Sequence, residues 1–252
     1  MKMHLITTLL LLSCSLSHAQ NDSIPIGRVV YIQEANTEGD ISNNGYATLL
    51  FNNTQSLYIQ NSAPKQDSFF SNGGGPVYST MFGDNEGFPI LKIHAARKLF
   101  CKITCPRFSK KHCIVTDTFC TIAWTLHPEH KRFGQYDCRR ATGKYRGRDY
   151  EAWYTLEIPI PTGPFKLGGL PGLILEARTL DGIVKFQFSS LELSSNIPDI
   201  IKVPSGKDMH MSLADFNAEF EAFNNALLEN YRAKGFQVTS TPIETIELNT
   251  EN

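Results

Sequence analysis

The segment that decides the fold is Trp153-Tyr-Thr-Leu-Glu-Ile-Pro-Ile-Pro-Thr-Gly-Pro-Phe-Lys-Leu-Gly-Gly-Leu-Pro-Gly-Leu-Ile174, with four glycines and four prolines between two strand-like apolar runs. Pro171 fixes φ at the second position of a turn, and Gly172 offers φ > 0 at the third. The sequence therefore predicts a type II turn at residues 170–173. We interpret the surrounding residues as a structural turn rather than a reactive site: Gly168, Gly169, Leu170, Pro171 and Gly172.

Part of this segment, GPFKLGGLPGLILE, together with the upstream run FGQYDCRRATGKYRGRDYEAWYTLEIPI, resembles the signature of the GLPGLI family of exported bacterial proteins. The resemblance is strong from Trp124 to Leu193 and looser from Ala47 to Tyr58. It implies export and a β-rich fold, and it carries over no catalytic residues.

The first residues, MKMHLITTLLLLSCSLSHAQ, have the layout of a secretory signal peptide: Lys2, an apolar core and a small-residue site before Gln20. We predict a signal peptide over residues 1–19 and a periplasmic, cell-surface or secreted protein. A lipoprotein anchored through Cys14 is the alternative, although Leu12 and Ser13 fit a lipobox poorly. No other apolar run has the length of a transmembrane helix, so we predict no transmembrane segment.

Composition bounds the partners. The chain has 252 residues, of which 41% are hydrophobic and 19% charged, and its formal net charge is −1. These values predict one globular domain over residues 20–236. The polar, proline-interrupted residues 237–252 are predicted to form a loose tail, with an edge strand as the alternative. A nearly neutral chain has no summed field for an anionic polymer, so we predict no nucleic-acid partner.

Strand signals dominate the domain, with β-branched and aromatic residues in short runs separated by turn residues. The predicted strands are 26–33, 47–51, 55–60, 90–93, 99–104, 113–116, 120–126, 133–141, 150–158, 173–179 and 183–193. We predict a mainly β fold in which a single curved antiparallel sheet, half-barrel-like, meanders along the chain. Residues 61–87 lack this pattern and are predicted to form a long mobile loop.

Three short motifs predict hairpin turns between these strands. Asn52-Asn53-Thr54 has the length of a hairpin loop, and Pro128-Glu129-His130 is turn-prone. Asp181-Gly182 is typical of a type I′ turn. If residues 128–130 close their hairpin, residues whose numbers sum to 258 face each other, and Cys120 then lies opposite Cys138.

One segment has a helical period. Its apolar residues recur at steps of three and four: Leu213, Phe216, Phe220, Phe223, Leu227 and Tyr231. Ser212 can cap this helix, and Gly235 can end it. We predict an amphipathic helix over residues 212–234, packed on the concave or open side of the sheet. Its candidate ligand-binding residues are Phe216, Phe220 and Phe223, at the border of any cavity.

Five cysteines follow the predicted cleavage site, and export favours disulfides. Cys101 and Cys105 lie about 13 Å apart on one strand, too far to pair. Cys105 and Cys113 flank a turn that can bring them together, and the hairpin register pairs Cys120 with Cys138. Cys101 is then the odd thiol. The alternative is a zinc site of Cys101, Cys105, Cys113 and His112, whose spacings fit no familiar zinc framework.

Other candidate reactive residues are weaker. His127 and His130 are spaced i and i+3 around Pro128, not i and i+4 on a helix as a zinc protease requires. Met209-His210-Met211 offers soft ligands for Cu(I), but without a fourth ligand it is better read as a helix entry. No Gly-x-Ser-x-Gly motif occurs. We therefore predict no catalytic residue, metal or cofactor.

These patterns favour an exported, non-enzymatic envelope protein that binds or carries an apolar ligand, a peptide or an outer-membrane partner. One alternative is a secreted, peptidase-like hydrolase whose site is assembled from scattered residues. The other is a structural partner of an exported β-barrel. A cleft that gathers His, Asp or Glu would favour the enzyme, and an open sheet edge would favour the structural partner.

Overall fold

The computed structural model describes residues 26–37, 41–42, 45–60, 88–105, 108–119, 121–197, 199–202 and 209–235. The predicted signal peptide, the long loop over residues 61–87 and the tail over residues 237–252 lie outside these ranges. The fold is mainly β, as predicted, with one open sheet and one C-terminal helix.

The described strands are β1 (Gly27–Thr37), β2 (Ile41–Ser42), β3 (Gly45–Phe51), β4 (Gln55–Gln60), β5 (Phe88–Ile93), β6 (Lys98–Cys105), β7 (Phe108–Thr118), β8 (Thr125–Phe133), β9 (Tyr136–Tyr145), β10 (Arg148–Thr155), β11 (Leu173–Thr179), β12 (Val184–Leu193) and β13 (Met209–Ser212). Most of them overlap the predicted apolar runs, but β8 begins at Thr125 rather than at residue 120, and the prediction lacks β2 and β13. Helix α1 spans Leu213–Ala233.

The sheet has the order β13-β7-β6-β5-β4-β3-β1-β12-β11-β10-β9-β8, and the short β2 pairs with the end of β1. Neighbouring strands are antiparallel except β13, which runs parallel to β7. Two meanders, β3 to β7 and β8 to β12, therefore flank β1. The sheet does not close into a barrel, and its two edges are β8 and β13.

Two hairpins show how glycines set the turns. Arg146 and Gly147 both have positive φ, 45° and 85°, and they join β9 to β10 as a type I′ turn requires. The type I′ prediction for Asp181-Gly182 is wrong, because only Gly182 has positive φ. There the Gly182 amide bonds to the Thr179 carbonyl, so a turn is followed by glycine in the left-handed region.

The predicted turn at Pro128-Glu129-His130 is also wrong. Strand β8 continues through these residues with an irregular register, and the chain turns at Gly134-Gln135 instead. Gly134 has φ +58°, and the flanking Phe133 and Tyr136 are buried. Proline is tolerated at 128 because β8 is an edge strand.

The two faces of the sheet bury separate clusters. The inner face carries the main core, which includes Tyr31, Tyr58, Leu99 and Phe186. The outer face carries a small cluster around Leu91, which includes Ile197 and Ile201. The residue at every second strand position faces the inner side, and those inner positions place the candidate site described below.

Helix α1 begins and ends where the sequence predicts. The Ser212 hydroxyl accepts a hydrogen bond from the Asp215 amide at 3.0 Å, and Gly235 has φ +85° after the last turn. The helix lies mainly against β7 and β13. Among the described residues, no helix combines the length and the apolar character needed to cross a membrane.

Candidate functional site

The signature segment, residues 156–172, crosses the inner face of the sheet between β10 and β11. Its apolar side chains belong to the main core, and the buried ones are Ile158, Ile160, Leu167 and Leu170. The Phe165 ring stacks on Phe186 of β12, with centroids 6.4 Å apart, and meets Tyr58 of β4 edge-on. The segment thus packs on the inner face, apart from the cluster that Phe216 contacts.

Polar side chains from distant strands hold the backbone of this segment. The Tyr31 hydroxyl donates to the Ile174 carbonyl at 2.7 Å, and the Trp124 Nε1–H donates to the Gly168 carbonyl at 2.9 Å. The Gly168 carbonyl lies inside the segment, and the Ile174 carbonyl lies in β11, two residues after the segment ends. The segment is therefore held in one conformation by contacts that are remote in sequence.

The expected type II turn at Leu170-Pro171-Gly172-Leu173 is wrong in its dihedrals. Gly172 does not have positive φ, whereas Gly169 has φ +84°. Gly172 is required for space instead, because a Cβ there would lie 2.0 Å from the Thr155 carbonyl oxygen. The structural role of the motif is retained, and its physical cause is a close approach of two backbones.

Two more glycines of the motif allow close packing. A Cβ on Gly168 would lie 2.5 Å from the Phe119 ring, and a Cβ on Gly163 would lie 2.7 Å from Ile174. Phe165 has φ 50°, an uncommon conformation for a residue other than glycine. The motif is therefore dense in glycine because the segment is pressed onto the sheet.

Lys92 of β5 is the main polar anchor below the segment. Its side chain is buried, and its Nζ donates to the carbonyls of Gly163 at 2.5 Å and Leu167 at 3.0 Å. Burial lowers the pKa of Lys92 to about 7, while the nearby Cys101 acts in the opposite direction. Lys92 therefore joins β5 to both ends of the GPFKL stretch.

Beside Lys92 lies an arrangement that the hydrolase alternative would require. The His94 Nε2 atom is 3.3 Å from the Ser56 Oγ atom, and its Nδ1 atom is 3.4 Å from the Asn53 carbonyl oxygen. A serine hydroxyl beside an imidazole, which is in turn oriented by an acceptor, is the arrangement that activates a serine nucleophile. Here Ser56 has no exposed surface, and its Oγ also bonds to Thr162 Oγ1 at 2.8 Å.

Because the signature segment covers Ser56, the polar side chains beneath it hold the segment on the sheet in the described conformation. We call Ser56, Lys92 and His94 the clamp residues. Burial and the charge of Lys92 lower the pKa of His94 to about 4, while the Asn53 carbonyl opposes the shift. A base with so low a pKa is poorly matched to nucleophile activation at neutral pH. The sequence motifs miss Ser56, Lys92 and His94, although a lysine at an inward position of the apolar strand FPILKI is a detectable signal.

The low pKa of His94 predicts a specific acid sensitivity. The unfolded chain binds a proton near the ordinary His pKa of 6.5, whereas the folded protein does so only near about 4. The contribution of neutral His94 to the free energy of unfolding is therefore fully present above pH 6.5. It is lost as the pH drops toward 4. Urea unfolding at several pH values should show a steeper loss in the wild type than in His94→Gln. Parallel pH profiles would contradict the assignment.

A second polar group holds Lys166 of the segment. The Asp117 carboxylate of β7 accepts from Arg146 Nη2 at 2.7 Å and from Lys166 Nζ at 3.1 Å, and all three side chains are buried. Arg146 comes from the β9–β10 turn. The three charges therefore tie together the signature segment, β7 and the β9–β10 hairpin.

The cysteine predictions have different outcomes. The Cys105–Cys113 disulfide is present, with Cα atoms 5.2 Å apart. The Cys120–Cys138 pairing is wrong: Cys138 faces Lys131 in the observed register, and its thiol is free and buried. Burial and the charges of Asp137 and Glu157 raise the pKa of Cys138 to about 12. Cys120 lies outside the described residues.

The possible metal ligands do not come together. Within the part of the chain that the structure describes, no three His, Cys, Asp or Glu side chains converge as ligands. The zinc alternative loses Cys105 and Cys113 to their disulfide. His127 contacts Thr142 and His130 contacts Asp137, so these two histidines have separate partners.

The predicted binding residues lie on α1, which has no buried residue. Phe216 packs on a cluster formed by the disulfide and Val115, and its ring stacks on Phe220 at 6.1 Å. Phe220 and Phe223 are half-buried. We call Phe216, Phe220 and Phe223 the aromatic face of α1. Only Phe216 belongs to a described core cluster, so the expected docking through all three rings is not what the structure has.

Comparison with known proteins gives one local match to a family model and two structural similarities. A family model described as "Protein of unknown function (Porph_ging)" matches residues 145–176, which hold β10 and the signature segment. No curated protein sequence matches the chain. Two crystal forms of PNGF-II resemble it with TM-scores of 0.52 and 0.51, at 13% and 14% sequence identity.

The PNGF-II similarity covers 78% of this chain but 33% of the PNGF-II chain, so this chain spans about a third of that protein. At such low identity the similarity shows a shared fold and nothing about activity.

Proposed function

We propose that this is an exported, non-enzymatic binding protein that holds an apolar segment of a partner polypeptide on the aromatic face of α1. The observation that carries the proposal is that α1 has an apolar stripe along one side, yet none of its residues is buried. An amphipathic helix of a globular domain normally packs such a stripe against the core of that domain. A face left half-covered fits a groove for an apolar partner.

Charge favours a basic partner. Helix α1 carries the carboxylates Asp215, Glu219, Glu221 and Glu229 against Arg232. Complementary charge speeds encounter and selects partners. An anionic lipid surface would be repelled by the same carboxylates, so we favour a peptide segment over a membrane.

Export is part of this proposal. The resemblance to the GLPGLI family of exported proteins and the signal-like first residues support it. The Cys105–Cys113 disulfide is compatible with an oxidising compartment. The hydrolase alternative is supported only by the Ser56–His94 contact, and the burial of Ser56 speaks against it.

Truncating the aromatic face should separate binding from stability. We expect Phe223→Ala to weaken the binding of a basic, partly apolar peptide about tenfold, because a large half-buried ring is removed from the aromatic face. The same change should lower the free energy of unfolding by less than about 1 kcal/mol, since the ring touches little of the core. Fluorescence anisotropy measures the affinity for a labelled peptide in which Lys alternates with Val or Phe, and thermal unfolding measures the stability.

The matched control is Leu180→Ala, at an exposed apolar side chain on the far β11–β12 turn. It should change neither binding nor stability appreciably. Unchanged affinity in Phe223→Ala and Phe220→Ala would remove the aromatic face as the site, and no peptide binding by the wild type would end the proposal.

A further inference from the structure

The two edges of the sheet differ in how well they resist a further strand. The β8 edge contains Pro128, an irregular register between Leu126 and His130, and exposed charged side chains at Glu129 and Lys131. Proline removes a donor, and bulges and charges discourage edge pairing. The β8 edge is therefore protected.

The β13 edge lacks these features. Residues Met209–Ser212 pair in an unbroken parallel register with β7 and contain no proline. No described strand pairs with the other side of β13. In a parallel strand, alternate residues direct their amide and carbonyl groups away from the neighbour, so this side offers hydrogen bonds to an added strand.

The aromatic face of α1 borders this same edge. Helix α1 follows β13 directly and lies against β7 and β13. Met211 packs in one cluster with Leu213 and Phe216, so the helix covers the side of the sheet to which Met211 belongs. Every second side chain of a strand added beside β13 would therefore point toward the aromatic face.

One carboxylate oxygen at this face lacks a hydrogen-bond partner among the described residues. This atom is Oε2 of Glu219, and it is out of solvent. Glu219 lies three residues after Phe216 and four before Phe223, on the rim of the aromatic face. An unsatisfied carboxylate oxygen costs free energy, which a basic side chain would recover.

We propose that a partner polypeptide binds by adding an extended strand to the side of β13 that no described strand occupies. Its alternate apolar side chains would then contact the aromatic face of α1, and its basic side chains would lie at the Glu219 rim. This inference rests on the proposed binding function and adds its mode: strand addition to β13. Main-chain hydrogen bonds then supply affinity, and the helix face selects the sequence.

The test uses the wild-type protein and the labelled peptide in which Lys alternates with Val or Phe. The peptide is made in three forms. One is unmodified, and the other two carry N-methyl groups on alternate backbone nitrogens, so that each blocks one edge of the extended peptide. Strand addition uses one peptide edge only. We expect one methylated series to bind about tenfold or more weakly and the other to bind like the unmodified peptide. A peptide in which Glu replaces Lys should bind weakly in all forms.

Amide hydrogen exchange of the same complex locates the peptide. Exchange should slow at residues 209–212 and stay unchanged in β8, the internal control. Equal binding of both methylated series, with loss in Phe223→Ala, would overturn strand addition and leave binding to the aromatic face. Association of the protein with itself through β13, detected by sedimentation without peptide, would also overturn it. Absence of any peptide binding would instead end the proposed function.

Discussion

Gly172→Ala is expected to destabilise the protein by more than about 3 kcal/mol, the largest effect of any single methyl group in the signature segment. The added Cβ would lie 2.0 Å from the Thr155 carbonyl oxygen and 2.8 Å from the Thr155 carbonyl carbon. Backbone atoms of a strand cannot move aside as a flexible side chain can. The overlap must be relieved by lifting the signature segment from β10, which exposes core residues.

Gly182→Ala is the matched control, because it adds the same methyl group where nothing lies within 4 Å. Gly182 has φ +78°, so alanine there costs about 1 to 2 kcal/mol of backbone strain. Urea unfolding of both variants measures the difference. A loss at Gly172 no larger than the loss at Gly182 would show that the Gly172–Thr155 contact yields to a methyl group, and it would contradict the space requirement.

Asp117→Asn is expected to cost about 3 to 5 kcal/mol, because it leaves Arg146 and Lys166 buried without their counter-charge. The amide keeps the shape of the side chain, so packing changes little and the lost charge dominates. Removing one of the two cations should recover part of the loss, and the double variant Asp117→Asn with Lys166→Met is therefore expected to be more stable than Asp117→Asn alone.

The control for this prediction is Glu129→Gln, whose carboxylate pairs with Arg140 at 2.8 Å but is 51% exposed. Solvent screens such a pair, so the expected loss is at most about 0.5 kcal/mol. Thermal unfolding of the set decides the matter. Equal small losses at Asp117 and Glu129 would mean that the buried charges contribute nothing beyond a surface pair.

Sequence reasoning succeeds where the signal is local. Strand β4 has the predicted bounds of residues 55–60, and β11 has those of residues 173–179. The Asn52 side chain bonds to the amides of Thr54 and Gln55, which explains the predicted turn before β4. The Ser212 cap and the aromatic period locate α1 within one residue of its prediction at each end.

It fails where two signals compete or where the cause is remote. Pro128 suggests a turn, yet the edge position of β8 tolerates it, and Gly134 makes the turn instead. That shift of register separates Cys138 from its expected partner. Gly172 is identified as essential, but the reason depends on Thr155, which the turn pattern does not include.

The clamp residues were absent from the prediction for the same reason. Lys92 lies 71 residues before the Gly163 carbonyl that it binds, and Ser56 lies 106 residues before Thr162. Nothing in the local pattern around Lys92 or Ser56 names those partners. Their roles appear only when β4 and β5 are placed under the signature segment.

Local signals in the sequence predict the β-rich class, the bounds of several strands and the capped helix. These follow from backbone dihedrals and from the period of apolar residues, which act over a few residues. Tertiary contacts decide that β1 lies between the two meanders, that the signature segment packs on the inner face, and that β13 is an edge among the described strands. Those outcomes depend on which distant surfaces bury each other, and that choice is made by the packing of the whole chain.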